Sequence, residues 1–300
     1  MGIAQAMQLA LTLVAADPER LPEARRIAEA IADAGRVKEP RALGPGAADL
    51  SVEGELDGVR RAVGAALDEE PVDWCVQPWA GRKKRLLVAD MDSTIIGCEC
   101  LDELADFAGV KAEVAAVTER AMRGEIAFEP ALRERVARLQ GLPLSVLEQC
   151  YAERVRLNPG ARTLVRTMAA SGARTVLVSG GFGFFTERVA EAAGFAAQRA
   201  NRLLDDGARL TGKVAEPILG REAKLEALRE EAERLGAGLE ATMAVGDGAN
   251  DLAMIEAAGL GVAYRAKPAV AAQAAAKVEH GDLTALLYFQ GYRQAEFVDG

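Results

Sequence analysis

Three short apolar runs in this chain of 300 residues each stop abruptly at residues unable to continue a buried strand. Leu86 to Ala89 ends in Asp90-Met91-Asp92-Ser93-Thr94, Thr175 to Val178 in Ser179-Gly180-Gly181, and Thr242 to Val245 in Gly246-Asp247-Gly248-Ala249-Asn250-Asp251. From Arg85 onward such runs, expected near 85–89, 174–179, 241–246 and 260–264, alternate with helical spacing near 160–171, 183–193, 221–235 and 249–258. That alternation calls for an α/β fold, a Rossmann-like parallel sheet covered by helices on both faces. Open parallel sheets bind ligands at the carboxyl ends of their strands, so the three polar strand ends are expected to share one crevice.

Asp90 and Asp92, two residues apart at a strand end, point to the same side of the chain. One carboxylate suits attack on an electrophile and the other suits proton handling, with a divalent cation to relieve the crowded charge. Taken alone the segment reads first as a solvated strand-to-helix turn with an Asp cap. The second acid cluster at Asp247 and Asp251 shifts the balance towards a site. Ser179, Gly180 and Gly181 supply the hydroxyl and close backbone N–H groups that a phosphate needs.

The order D-x-D-S-T (Asp90 to Thr94), V-S-G-G (Val178 to Gly181), Lys224 and G-D-G-A-N-D (Gly246 to Asp251) resembles the four motifs of the haloacid dehalogenase superfamily of phosphohydrolases. Within it the likeness is to the phosphoserine phosphatases. Glu99, nine residues after Asp90, and the segment from Ala121-Met122-Arg123-Gly124 through Phe128-Glu129 to Leu132-Arg133-Glu134-Arg135-Val136 are similar to that group's cap. The likeness covers roughly residues 84 to 290.

The resemblance implies roles. Asp90 would attack phosphorus and become an aspartyl phosphate, while Asp92 would act first as acid and then as base. One Mg²⁺ per site would be held by the Asp90 carboxylate, the Asp92 backbone carbonyl and Asp247, with Asp251 behind them holding a water or Lys224. Lys224 would supply a fixed positive charge; its neighbours Arg221-Glu222-Ala223 begin a charge-rich helix in which lysines are ordinarily solvated, and only its place between motifs singles it out. Ser179 and the N–H groups of Gly180 and Gly181 would bind phosphate oxygens. Glu99 would receive the α-ammonium of the substrate and Arg135 its carboxylate, with Arg133 the competing assignment. Asn250 would serve either end, and Met122 and Phe128 would shield the site.

The activity implied is hydrolysis of O-phospho-L-serine to L-serine and phosphate, the last step of serine biosynthesis. The alternatives are a phosphatase or phosphotransferase for phosphothreonine or phosphohomoserine, since one methyl or methylene changes binding modestly, and a non-catalytic amino-acid sensor.

Residues 98–157 break the strand-helix rhythm with helical spacing only, which predicts a helical cap inserted after the first strand. Ahead of residues 84–300, residues 1–80 read as a small α+β unit: strands at 7–15, 36–43, 48–53 and 72–79, helices at 21–34 and 56–67. The order βαββαβ predicts a ferredoxin-like sandwich. It resembles ACT-type regulatory domains, and dimerisation and amino-acid sensing are equally compatible with it, so a homodimer stands as one expectation. Gly44-Pro45-Gly46 reads as a turn, Arg82-Lys83-Lys84-Arg85 as a solvated linker, Asn201 to Val214 as a hairpin, Ala269 to Ala276 as a surface helix, and Leu287 to Gly291 as native sequence.

A net charge of -9 disfavours a nucleic-acid partner. No apolar stretch is long enough for a bilayer, and Met7 to Ala16 lacks a basic leader, so a cytoplasmic protein without a membrane partner is expected. Cys75, Cys98, Cys100 and Cys150 contain no C-x-x-C pair and read as reduced thiols. His280 is the only histidine, so carboxylates must do the acid-base work.

Overall fold

The alternation of apolar residues in Met7–Ala15 (β1) sets up the N-terminal sheet: Leu9, Leu11 and Leu13 face one side of it. The computed structural model describes residues 7–123 and 125–299, apart from the side chains of Ala24, Glu39 and Met122. Around β1 lie Gly35–Gly44 (β2), Ala47–Gly54 (β3) and Val72–Pro78 (β4), paired antiparallel in the order β2-β3-β1-β4. Helices Ala24–Ala30 (α1) and Leu56–Ala66 (α2) place Ile27, Val59 and Val63 in the same buried cluster as those three leucines. The observed succession is βαββαβ with ferredoxin-like strand order.

The parallel half begins at Leu86–Ala89 (β5), wholly buried. Four helices follow, Cys100–Phe107 (α3), Lys111–Met122 (α4), Phe128–Ala137 (α5) and Leu144–Arg154 (α6), and they form the expected cap. The chain enters and leaves it through a paired neck: Ile96 bridges Leu157, Gly97 N–H donates to the Arg156 carbonyl (3.2 Å), and Asn158 N–H to that of Ile95 (2.8 Å). Next come Ala161–Ala170 (α7), Arg174–Phe182 (β6), Gly183–Ala193 (α8), Ala197–Asn201 (β7) and the hairpin Leu203–Asp205 (β8) with Leu210–Val214 (β9). Arg221–Arg234 (α9), Thr242–Gly246 (β10), Leu252–Ala257 (α10), Leu260–Tyr264 (β11), Pro268–Ala271 (α11), Ala276–Val278 (β12) and Ala285–Phe289 (α12) complete the order.

Apart from the separate β8-β9 pair, the strands described make one ten-stranded sheet, β2-β3-β1-β4-β12-β11-β10-β5-β6-β7. Its parallel part reverses direction of growth between β5 and β10, and that reversal opens the crevice.

Two expectations fail here. Ala269 to Ala276 is helical only as far as Ala271, because its last residue opens β12 in parallel register with β11 (Val262 with Ala276, Tyr264 with Val278), and ladder pairing outweighs alanine's helix preference. The basic stretch Arg82 to Arg85 is not a solvated linker: Arg82 and Lys84 are 7% and 8% exposed. Arg82 is paired with buried Asp49 at 2.5 Å, and Lys84 Nζ donates to the carbonyls of Glu240 (2.8 Å) and Gly81 (3.2 Å). Lys277 of β12 stands opposite Trp74 of β4 and joins the two halves of the sheet. Asp73 caps the turn after β12, accepting from the N–H groups of Glu279 (2.8 Å), His280 (3.1 Å) and Gly281 (2.6 Å).

Candidate active site

The polar ends of β5, β6 and β10 meet beneath the cap and line a cleft of about 570 Å³. Asp90, directly after β5, is 5% exposed and forms an ion pair with Lys224 at 2.6 Å. Lys224 reaches it because α9 buries the stripe Lys224, Ala227, Leu228, Glu231 and Ala232, spaced for one helical face, against the sheet. The same ammonium lies 2.5 Å from Asp251, whose other oxygen accepts from Gly248 N–H at 3.0 Å. A Cβ at Gly246 would collide with the Asp251 carboxylate, so glycine is required for the approach. Burial by itself would depress the Lys224 ammonium, but Asp90 and Asp251 hold it above the usual lysine value.

Past Asp90 the chain turns sharply, with Ser93 in the left-handed region at φ 56°. The turn separates the two aspartates. The Asp92 carboxylate accepts from Cys100 N–H (2.9 Å), at the start of α3, and from Ser179 Oγ (3.2 Å). Ser179 Oγ in turn accepts from Gly181 N–H at 2.8 Å, and a Cβ at Gly181 would sit 2.9 Å from Asp92 Oδ2. Burial and then the charge of Glu99 push Asp92 up to about 6, against the opposing bonds from Cys100 and Ser179. Ser93 Oγ donates to Glu99 at 2.6 Å and so fixes that carboxylate at the wall.

Asp90, Asp247 and Asp251 bring a carboxylate oxygen each to within 4.8 Å of one another. Thr94 Oγ1 donates to Asp247 at 3.2 Å. Burial followed by the Asp251 charge drives Asp90 well above the usual carboxylate range and Asp247 up to about 6. Three acids against one ammonium leave excess negative charge and hard oxygen donors, a set that fits Mg²⁺. The Asp92 side chain points to Cys100 and Ser179 instead, so only its backbone carbonyl is left for an ion. Asp251 has both oxygens engaged by Lys224 and Gly248, which suits a place behind the ion.

The cap supplies the other wall through α5. Phe128, Leu132 and Arg135, at helical positions i, i+4 and i+7, all line the cleft, while Arg133 turns outward to Glu216 (2.7 Å) and Glu129 (3.2 Å). Burial lowers the Arg135 guanidinium, and the charges of Asp102 and Glu99 resist that. Phe128 packs over Gly180 and Gly220, where a Cβ would lie 3.3 and 3.6 Å from its ring. Asn250 lines the cleft beside Asp247. The Met122 side chain lies outside the described residues.

Three residues escape sequence reasoning. Asn201 Nδ2 donates to the carbonyls of Gly180 (2.9 Å) and Leu219 (3.2 Å), and its Oδ1 accepts from Leu219 N–H (2.7 Å), pinning the β6 loop. Asn158 Nδ2 donates to the Thr94 carbonyl at 2.8 Å and ties the cap neck to the turn that follows Asp90. Lys267 also lines the cleft, and the strand-end rule, extended past Leu260 to Tyr264, would have found it.

A family model described as haloacid dehalogenase-like hydrolase matches residues 87–256. A phosphoserine phosphatase of Archaeoglobus fulgidus is 46% identical over 70% of this chain and 61% of its own length. One of Polaromonas sp. is also 46% identical, over 68% of this chain and 88% of its own. The chain thus spans less than two thirds of the first of these relatives. Among solved structures, the unliganded probable phosphoserine phosphatase of Vibrio cholerae superposes with a TM-score of 0.76 at 32% identity, covering 98% of this chain and 90% of that one. That likeness includes the N-terminal sheet. No helix among the described residues is long and apolar enough to cross a membrane.

Proposed function

Because the chain belongs to the haloacid dehalogenase-like hydrolase family, we propose that it hydrolyses O-phospho-L-serine to L-serine and phosphate. The observation that carries the reading is the division of labour between two carboxylates: Asp90 on Lys224, Asp92 on Ser179 and the Cys100 N–H. Asp90 attacks phosphorus in line and forms an aspartyl phosphate. Asp92, on the opposite side of the turn, gives its proton to the departing serine oxygen and then takes one from the water that cleaves the acyl phosphate. Ser179 and the N–H groups of Gly180 and Gly181 orient the phosphate oxygens.

Mg²⁺, when bound by Asp90, Asp247 and the Asp92 carbonyl, would neutralise charge between the nucleophile and a dianionic ester. Lys224 opposes the burial that raises Asp90 and aims its carboxylate, and Lys267 adds a positive charge at the cleft wall. Glu99 and Arg135 face the same space as an acid and a base, the pair that an α-ammonium and an α-carboxylate require. The N-terminal unit is assigned a regulatory or dimerising part.

Phosphate release measured over phosphoserine, phosphothreonine, phosphohomoserine and p-nitrophenyl phosphate, with Mg²⁺ and with EDTA, tests the proposal. Phosphoserine should give the highest kcat/KM, and EDTA should abolish turnover. Preference for another ester, or full activity in EDTA, would overturn it.

A further inference from the structure

A second cleft, of about 630 Å³, opens at the seam between the N-terminal sheet and the parallel half. Its walls come from three stretches far apart in sequence: Arg41 on β2, Trp79 to Lys83 after β4, and Gln290 to Glu296 after α12. None of them belongs to the active-site cleft.

Charge in this cleft is unbalanced. Arg41, Arg82, Lys83 and Arg293 line it, and Glu296 is the one acid in the wall, already paired with Lys83 at 3.0 Å. Arg41 and Arg82 share a single oxygen of buried Asp49, at 2.9 and 2.5 Å, while its other oxygen accepts from Thr12 Oγ1 at 2.8 Å. One carboxylate therefore serves two guanidiniums, and Arg293 has no ion pair among the described residues. Arg82 Nη1 and Arg41 Nε are buried with no hydrogen-bond acceptor among those residues. Buried donors without acceptors are costly, and the excess charge carried by part-exposed Arg41 and exposed Arg293 has the same sign.

The cations are also held in place. Arg82 and Arg41 lie 4.5 and 5.8 Å from the centre of the Trp79 ring, which supports the guanidiniums by cation–π attraction. Gly291, at φ 80°, approaches Arg82 so closely that a Cβ there would strike the guanidinium. Fixed, planar forks with spare donors match the paired oxygens of a phosphate or a carboxylate, and a pre-ordered site loses little side-chain entropy on binding.

We propose that this seam cleft binds a small oxyanion, phosphate or carboxylate, through Arg41, Arg82 and Arg293, and so fastens the N-terminal sheet to the parallel half. The bound anion would complete the charge balance that Asp49 leaves open. It is independent of the reaction proposed above.

Both tryptophans of the chain, Trp74 and Trp79, lie in the N-terminal unit, so their fluorescence is separated from the active site. The test is titration of the full chain carrying Trp74→Phe with inorganic phosphate, acetate or L-serine at ionic strength held constant with NaCl. Saturable change in Trp79 emission is expected. Response to phosphate alone assigns a phosphate site, and response to acetate and L-serine a carboxylate site. Arg41→Ala should weaken the apparent Kd about tenfold or more, a loss of about 1.4 kcal/mol per decade. Exposed Arg293→Ala, chosen because it leaves the Asp49 contacts intact, should weaken it severalfold. No saturable change beyond the NaCl control, or a change indifferent to both substitutions, would overturn the proposal.

Discussion

Lys224 Nζ lies 2.6 Å from Asp90 Oδ1, with 3% and 7% of the two side chains exposed. A pair this deeply buried cannot be halved cheaply, because removal of one charge strands the other. Lys224→Met should lower kcat about 10³-fold, the scale of losing one pre-oriented electrostatic group. Steady-state kinetics with saturating Mg²⁺ would check this, and circular dichroism would separate it from unfolding.

Arg135 and Arg133 sit two positions apart on α5 and face opposite ways. Arg135→Ala should raise KM for phosphoserine about tenfold or more while changing p-nitrophenyl phosphate turnover far less, since that ester has no carboxylate to grip. Arg133→Ala, which removes only exposed pairs with Glu129 and Glu216, should leave both substrates nearly unchanged. Equal damage to both substrates in Arg135→Ala would show that the residue serves the cap and not the carboxylate.

Glu231, on the same buried stripe of α9, is 1% exposed and bonded to Arg174 (2.5 Å) and Arg199 (2.9 Å). Burial pushes its carboxyl up, but the bonds from Arg174 and Arg199 and the charges of Arg174 and Arg234 outweigh that and hold it below the ordinary value. A depressed folded-state value gives stability that is complete above the unfolded carboxylate range, about pH 4.3, and lost as pH falls through the folded value. Urea denaturation of Glu231→Gln should therefore show a deficit at pH 7 that narrows progressively below about pH 4.3. A constant deficit across that range would contradict the linkage.

The parallel sheet, the inserted cap, the βαββαβ succession and the hairpin at Asp206-Gly207 were legible because each rests on local period or turn chemistry. Asp90, Asp92, Ser179 and Asp247 were legible because strand ends carry them. Asn201 and Asn158 were not: each acts on backbone groups 18 to 64 residues away, and nothing in their own neighbourhood marks them. The orientation of Arg135 was available in principle, since Phe128, Leu132 and Arg135 share a helical face that Arg133 leaves. The burial of Arg82 and Lys84 was hidden, because their partners Asp49 and Glu240 are remote and a run of four basic residues ordinarily faces water. Strand β12 is three residues long and exists through its pairing with β11 and β4, which no window of sequence reveals.

The proposed hydrolysis requires a transient bond between Asp90 and phosphorus, and rapid acid quench of the protein turning over ³²P-labelled phosphoserine tests it most directly. Acid-stable, hydroxylamine-labile label should appear on the protein within the first turnover, map to the peptide containing Asp90, and be missing in Asp90→Asn. Turnover with no labelled protein at any quench time, or label mapped to another residue, would contradict it.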